Sequence, residues 1–548
     1  MNAIELQTHP DRYRHWKLAF DGDIARLSMD VQEHEGLRDD YELKLNSYDL
    51  GVDIELFDAI QRIRFEHPEV RCLVVTSGKE RIFCAGANIH MLGTSTHNFK
   101  VNFCKFTNET RCGIEDAHDS SGLRTIAALN GIASGGGYEL ALACEWIILP
   151  DDGNSAVSFP ETPLLGVLPG TGGLTRLVDK RMVRRDLADV FSTLAEGIKG
   201  RRALEWGLVD EVVPASKFAD AVATRARQFA DEAAAAHPER RGPGVEMKPI
   251  AMEYEENRCT GRFVTLSLDP ATRIGELTIR DPGGDFATDP EGIREAGSHW
   301  APFVAFRELD HALLQLRFDH LEIGTILIRT EGDPENVLRM DAALEEHARD
   351  WFVSEVRHHV KRTLKRLDLS ARSLFALIEP GSCFAGTYLE LALAADRAYM
   401  LDDPDRPNAI LLSPMNAGAY PMPNGLSRLG SRFLANPAHV DEVLAEEGPI
   451  EPADAERLGL VTFAFDDLDW EDDVRVAIEE RASLSPDSLT GMEANLRFAG
   501  PETVESKIFG RLTAWQNWIF QRPNAVGKRG ALTMYGRPER PEFDWRRT

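Results

Sequence analysis

Two glutamates 22 residues apart, Glu139 and Glu161, stand beside glycine-rich turns, a combination that can move protons next to a stabilised anion. Asn130-Gly-Ile-Ala-Ser-Gly-Gly-Gly137 follows an apolar strand-like run and leads into a helix through Tyr138 and Glu139. N–H groups at a helix start have no partner within the helix and carry the positive end of its dipole. Glycines let a ligand approach the backbone closely, so such a turn suits an anion or a developing oxyanion. Phe83-Cys-Ala-Gly-Ala-Asn-Ile-His90 follows another strand-like run, Cys72 to Val75, and Ala87 would offer a second N–H. Ser158-Phe-Pro-Glu-Thr-Pro163 supplies Glu161 just ahead of Leu168-Pro-Gly-Thr-Gly-Gly173. Two carboxylates beside an oxyanion hole could serve as acid and base. Taken singly, each motif also fits a plain structural role: a tight loop, a small-residue turn, or a glutamate stabilised at a helix start. The chain has neither Gly-x-Gly-x-x-Gly nor the phosphate-loop lysine at the glycine turn, so nucleotide-fold readings lose ground.

The elements that must position these residues alternate along the chain. Helical periodicity over Val52 to Phe65 precedes the apolar run Cys72 to Val75, and Thr125 to Leu129 precedes the glycine turn and a helix from Glu139 to Trp146. Short β-rich runs between amphipathic helices predict βα units and an α/β fold. The pattern occurs twice. Ala59-Ile-Gln-Arg-Ile-Arg-Phe-Glu-His67 is echoed by Ala312-Leu-Leu-Gln-Leu-Arg-Phe-Asp-His320, Glu139-Leu-Ala-Leu-Ala143 by Glu390-Leu-Ala-Leu-Ala394, and Gly173-Leu-Thr-Arg-Leu177 by Gly425-Leu-Ser-Arg-Leu429, at separations of 251 to 253 residues. One near-constant separation argues for tandem duplication of a domain-sized module. The expected boundaries are 1–245 for the first module, 246–465 for the second, and 466–548 for a C-terminal helical region and irregular tail. The modules meet near the loop-like His237-Pro-Glu-Arg-Arg-Gly-Pro-Gly244.

In this order the three motifs resemble the crotonase (enoyl-CoA hydratase/isomerase) superfamily. The resemblance implies crotonase-like modules in which ββα turns stack into a spiral. It implies an oxyanion hole of two backbone N–H groups, on Ala87 and Gly136, for the thioester oxygen of an acyl-CoA, with Glu139 and Glu161 as the acid/base pair. Lys44 precedes Leu45-Asn46, where crotonases cradle the CoA, and Ser134 and Tyr138 adjoin the hole, so these three are candidate substrate contacts. An ordinary surface lysine and loop-stabilising hydroxyls remain the plainer alternatives. The tandem layout, with Leu45 to Asp53, Val101 to Thr110 and Trp515 to Pro523, is similar over essentially the whole chain to a ring-opening branch of the superfamily. That branch implies conversion of 2,3-epoxybenzoyl-CoA and two waters into 3,4-dehydroadipyl-CoA semialdehyde and formate during aerobic, CoA-dependent benzoate breakdown. An enoyl-CoA hydratase would use the same residues, and a non-catalytic acyl-CoA-binding protein is the reading from another class. The implied chemistry calls for no metal or cofactor. Crotonases commonly assemble, so a homo-oligomer, first of all a dimer, is expected.

The second module departs from the pattern. Glu390 matches Glu139, but Ser413 falls near the place of Glu161, and Arg329-Thr-Glu-Gly-Asp-Pro334 is followed by nothing like Phe-Cys-Ala-Gly-Ala. This module is therefore expected to be degenerate and structural. Arg357-His-His-Val-Lys-Arg-Thr-Leu-Lys-Arg366 reads as a solvated basic helix face. The whole chain of 548 residues has a formal net charge of −27, against generic nucleic-acid binding or docking on an anionic membrane. Seven scattered cysteines without Cys-x-x-Cys spacing fit a reducing, cytoplasmic setting. The N-terminus lacks a secretory pattern, and the apolar stretches are too short to span a bilayer.

Overall fold

The sequence's alternation of strand and helix is resolved, in a computed structural model describing residues 4–548, into two units: Glu5–Met247, and Lys248–Thr548 with Ile4. In the first unit, β1 (Trp16–Asp21) and β2 (Ile24–Met29) form an antiparallel hairpin, and β2 continues in parallel with β4 (Cys72–Ser77), β7 (Arg124–Ala128), β9 (Trp146–Asp151) and β12 (Glu211–Pro214). A second sheet holds β5 (Arg81–Cys84), β8 (Gly131–Ser134), β10 (Ala156–Ser158) and β11 (Ile198–Lys199). Each of β4, β7 and β9 is followed within a few residues by a strand of the second sheet. The chain thus climbs in ββα turns, and the turn between the two sheets recurs at one end of the unit. A third, two-stranded pairing joins β3 (Ser47–Tyr48) to β6 (Gly86–Ala87) in parallel.

Local chemistry explains the helices of this unit. Asp49 starts α1 (Leu50–Glu66) by accepting N–H bonds from Gly51 at 2.9 Å and Val52 at 3.2 Å. Thr96 caps α3 (His97–Ser121), which Gly122 ends in the left-handed conformation at φ 66°. The helix Phe218–Ala236 closes the back of the main sheet, packing Val222, Ala226, Phe229 and Ala230 on Cys72, Val74, Ile126, Ala128 and Ile148. Between α1 and α3, Arg111 and Asp53 form a buried ion pair at 2.7 Å, with Thr107 donating to the other Asp53 oxygen. Removing one partner of such a pair costs about 3–5 kcal/mol, because the other charge stays buried.

The second unit has one eight-stranded sheet in chain order. β13 (Glu253–Glu255), β14 (Arg258–Thr260), β15 (Val264–Asp269) and β16 (Ile274–Arg280) run antiparallel. β17 (Thr325–Glu331), β18 (Ser373–Ile378), β19 (Arg397–Asp402) and β20 (Phe463–Asp466) continue parallel to β16. Kinship of the units shows in a shared device. Glu55 accepts backbone N–H bonds from Arg14, His15 and Trp16, and Glu308, 253 residues on, accepts them from Arg262, Phe263 and Val264. The second sheet of the first unit is reduced here to the bridges Ala385–Leu411 and Ile410–Ile450. β17 runs through Gly332 and Asp333 straight into the helix Pro334–Glu346, where the first unit has β5 and β6.

Residues 466–548 belong to this second unit. Trp470, Val474 and Ile478 of the helix Trp470–Ser483 pack on Leu327, Phe375, Leu377, Tyr399 and Leu401. The basic stretch 357–366 is not a solvated face: within the helix Trp351–Asp368, Lys361 and Arg366 are buried, and Arg366 pairs with Asp310 at 2.5 Å. Among the described residues, no helix is long and apolar enough to cross a membrane.

Candidate active site

The site gathers at the sheet-to-sheet turns of the first unit, and Asn46 pins them together. Its buried amide accepts from Val31 N at 3.0 Å and donates to Met29 O, Ser77 Oγ and Phe83 O at 2.9–3.1 Å. Both Leu45 and Asn46 sit at positive φ, 57° and 52°, which turns the chain sharply into β3. Asn favours this region and Leu adopts it at a cost, which the Asn46 bonds offset. Asn88 fixes the far side, capping α2 (Ile89–Thr94) through Met91 N and donating to Glu42 O and Ser47 Oγ.

These ties set the two expected backbone donors side by side. Successive N–H groups of an extended strand point to opposite sides. Asn88 N bonds to Tyr48 O at 2.9 Å, so Ala87 N turns away from β3. α4 (Gly136–Ala143) starts at Gly135, φ 52° and ψ −126°, without a side-chain cap, which leaves the N–H of Gly136 at an uncapped helix start. Gly86, at φ 91°, lies so close that a β-carbon on it would fall 2.9 Å from both Gly136 N and Ser134 O. Only glycine fits at position 86.

Both glutamates come to this turn. Glu139, one helical turn into α4, is 2% exposed. Its Oε1 accepts from Thr171 N at 2.9 Å and Gly173 N at 2.8 Å, and its Oε2 accepts from the Thr171 hydroxyl. A carboxylate offers about four acceptor positions, so Oε2 retains one. Glu161 opens the single helical turn Glu161–Leu165, and its carboxylate lies against Gly135, where a β-carbon would collide with Oε1. Glu161 Oε2 is buried without a hydrogen-bond partner. Burial, with the Glu139 charge adding to it, pushes Glu161 up to about 7 against its own backbone N–H. The following Leu164, Val167 and Leu168 are exposed.

Three other expected contacts are distributed differently. Ser134 stays at the turn, its hydroxyl accepting from Ser158 Oγ at 3.0 Å. Tyr138 points into the core, fully buried against Phe159 and Phe191, its hydroxyl donating to Leu208 O at 2.7 Å, and so stands away from the turn it adjoins in sequence. One residue along a helix rotates the side chain by about 100°, and Glu139, not Tyr138, gains the inward direction. Lys44 is exposed and paired with Glu42 at 2.6 Å. Sequence reasoning missed Asn46, Thr171 and Tyr48, although each lies inside a motif it had singled out.

The second unit fills the equivalent place with its own side chains. At the turn into the helix Gly386–Ala394, Gly386 N bonds to Leu411 O, as Gly135 N bonds to Ser158 O in the first unit. The next residue, Thr387, therefore matches Gly136, and its N–H donates to Asp341 Oδ2 at 2.8 Å. Ser413 Oγ and Thr387 Oγ1 also donate to Asp341, at 2.6 and 2.5 Å. A fixed carboxylate thus sits where the first unit presents an open donor. Burial pushes Asp341 up to about 7, with the Glu390 charge adding to it and the Ser413 and Thr387 bonds opposing it.

The signature of the family described as enoyl-CoA hydratase/isomerase matches residues 42–239. The benzoyl-CoA-dihydrodiol lyase of Aromatoleum evansii is 56% identical over 548 residues, covering 99% of this chain and 98% of its own. The carnitinyl-CoA dehydratase of Proteus mirabilis (strain HI4320) is 32% identical over 195 residues, 36% of this chain and 69% of its own. A solved enoyl-CoA hydratase from Geobacillus kaustophilus HTA426 aligns with 42% of this chain and 80% of its own, at 31% identity and a TM-score of 0.36.

Proposed function

Because the chain belongs to the benzoyl-CoA-dihydrodiol lyases of the enoyl-CoA hydratase/isomerase family, we infer that it is a lyase that opens the ring of 2,3-epoxybenzoyl-CoA. Two waters enter, and 3,4-dehydroadipyl-CoA semialdehyde and formate leave, within aerobic CoA-dependent benzoate breakdown. The reading is supported by the close approach of Gly86, the neighbour of Ala87, to Gly136 N, with the Glu161 carboxylate against Gly135 and Glu139 on the helix that Gly136 opens, in a chain whose 56% identical relative is collinear with it.

A thioester conjugated to a strained ring epoxide is an electron sink. Water attack on the ring drives negative charge toward the thioester oxygen, where two backbone donors lower the barrier; one such donor contributes about 3–4 kcal/mol in other enzymes. Glu139 is the base of this reading, because Oε2 has one acceptor position left for the attacking water. Glu161 is the acid, because near pH 7 it holds a proton that it can deliver to the oxygen released as the epoxide opens. Fragmentation of the ring gives the aldehyde, and the second water releases formate. The exposed apolar side chains of Leu164, Val167 and Leu168, which follow Glu161 in the chain, suit contact with an aromatic acyl group. Lys44 and Ser134 remain candidate contacts for the CoA and the acyl oxygens. A cytoplasmic setting fits a CoA-ester substrate and a chain with free thiols, and a homo-oligomer, first of all a dimer, is the assembly that the family resemblance suggests.

Incubation with enzymatically made 2,3-epoxybenzoyl-CoA and, separately, with crotonyl-CoA tests the reading. Formate release from the first with little hydration of the second is expected. Rapid hydration of crotonyl-CoA without formate would make the protein a hydratase, and binding of both without turnover would make it a carrier.

A further inference from the structure

Tyr48 lies against both residues that carry the proposed oxyanion donors, and the reaction outlined above does not use it. Its backbone pairs with Ala87 across β3 and β6. Its side chain runs to Gly136, where a β-carbon would collide with the phenol oxygen. The glycine at the second donor residue therefore makes room for that oxygen.

The hydroxyl is buried, the residue being 1% exposed, and it has no hydrogen-bond partner. Buried hydroxyls are nearly always paired, and one left open is costly. The surroundings hold it still rather than leaving it slack. Arg111 lies over the ring face at 5.1 Å, itself locked to Asp53, and Phe103 packs alongside at 6.0 Å. At the 253-residue separation that relates Glu55 to Glu308, Tyr48 falls on Ala301, so the unit whose turn is closed by Asp341 carries no such hydroxyl there.

We propose that the Tyr48 hydroxyl is a third hydrogen-bond donor to the acyl oxygen held at Ala87 and Gly136. The proposal rests on the oxyanion reading of that turn and adds a side-chain donor to its two backbone donors. Burial, together with the Asp53 and Glu139 charges, holds the phenol well above its usual range and outweighs Arg111, so Tyr48 presents O–H to its partner. It donates a hydrogen bond and does not exchange its proton with the substrate. With an oxygen at the turn, the open hydroxyl is satisfied. Without one, it stays strained, which biases the site toward the bound state.

The full-length protein and its Tyr48→Phe variant, each bound to benzoyl-CoA carrying a ¹³C thioester carbonyl, provide the test by infrared difference spectroscopy. In the wild type the carbonyl band should move to lower frequency than in water, and in Tyr48→Phe part of that shift should be lost. Turnover should fall on the order of a hundredfold, as for loss of one oxyanion donor, and benzoyl-CoA should bind more weakly than to the wild type, because the variant has no open hydroxyl for the bound oxygen to satisfy. The melting temperature of the ligand-free variant should be unchanged or higher, because only an unpaired oxygen is removed. A wild-type shift that Tyr48→Phe retains in full would overturn the Tyr48 proposal and leave the oxyanion reading standing. A lowered melting temperature with an unchanged band would make Tyr48 a structural residue. A wild type that binds benzoyl-CoA without any shift would overturn both.

Discussion

Arg428 reaches Glu390 at 3.0 Å in the second unit, whereas Arg176, its counterpart in the first, turns to Glu115 at 2.8 Å. The two arginines share a local bond, Nη1 donating to Tyr420 O in one and to Thr171 O in the other. Their carboxylate partners differ. Glu390 is thereby neutralised by a buried cation that Asp368 also holds, at 2.8 Å. Glu139 takes its bonds from Thr171 and Gly173 and keeps an acceptor position for substrate. Glu390→Gln should leave turnover at the wild-type level while lowering stability by up to about 3 kcal/mol, since one charge of a buried network is removed. Parallel measurement of kcat and of the melting curve checks this. A folded Glu390→Gln protein without activity would move the catalytic assignment into the second unit.

Glu139→Gln and Glu161→Gln should each cut turnover by roughly 10²–10⁴, the usual yield of a positioned acid or base, with CoA-ester binding nearly intact. The two variants separate by pH. Glu161 is raised from its ordinary value to about 7 by burial and by Glu139. As an acid it works while protonated, so kcat of the wild type should decline as pH rises through about 7. Glu161→Gln should lose that limb, and Glu139→Gln, which removes a neighbouring negative charge, should move it to lower pH. A pH–rate profile identical in the wild type and Glu161→Gln would remove Glu161 from the proton path.

Much of this site is legible in the sequence because its chemistry sits in three short motifs, and glycine spacing reports backbone crowding directly. Gly86 is forced by backbone contacts that a β-carbon would break, and Gly135 by its positive φ of 52°. The tandem organisation is legible for a similar reason, as helix faces such as Glu139–Ala143 and Glu390–Ala394 are buried in both copies and keep their apolar pattern. The partners of those motifs are not legible. Tyr48 meets Gly136 from 88 residues away, and Asp341 closes on Thr387 from a helix that has no visible counterpart motif. Tyr138 shows the opposite limit, since adjacency to Glu139 in sequence says nothing about which of the two faces the turn. The basic run at 357–366 misleads because charge alone suggests solvent, while Asp310 is supplied by another helix.

Gly86→Ala should abolish activity without unfolding the unit. Its φ of 91° strains any side chain, and the added carbon would press on Gly136 N and Ser134 O at 2.9 Å. The two donors would then be driven apart, costing about 10²–10³ in kcat for each one lost. Turnover and circular dichroism of the variant check this, and a Gly86→Ala enzyme with near-normal kcat would show that the Ala87 and Gly136 N–H groups do not act on one oxygen.

Asp341 gives the second unit a pH dependence that the first unit's chemistry does not need. Burial raises its folded-state value to about 7, above the ordinary 3.8. Between these values the folded chain binds a proton that the unfolded chain has lost. Stability from this residue is therefore greatest at low pH and declines as pH rises from about 4 to about 7, by at most about 1.4 kcal/mol per pH unit. Asp341→Asn keeps the size of the side chain and an oxygen for Thr387 N, but removes the titration. Relative to the wild type, the variant should gain stability with rising pH across that window and hold a constant difference above it, with turnover unaffected. Denaturant unfolding at pH 5, 6, 7 and 8 measures the difference. A gap between wild type and Asp341→Asn that does not change with pH would mean that the carboxylate at Thr387 is already ionised throughout, held there by the Thr387 and Ser413 donors.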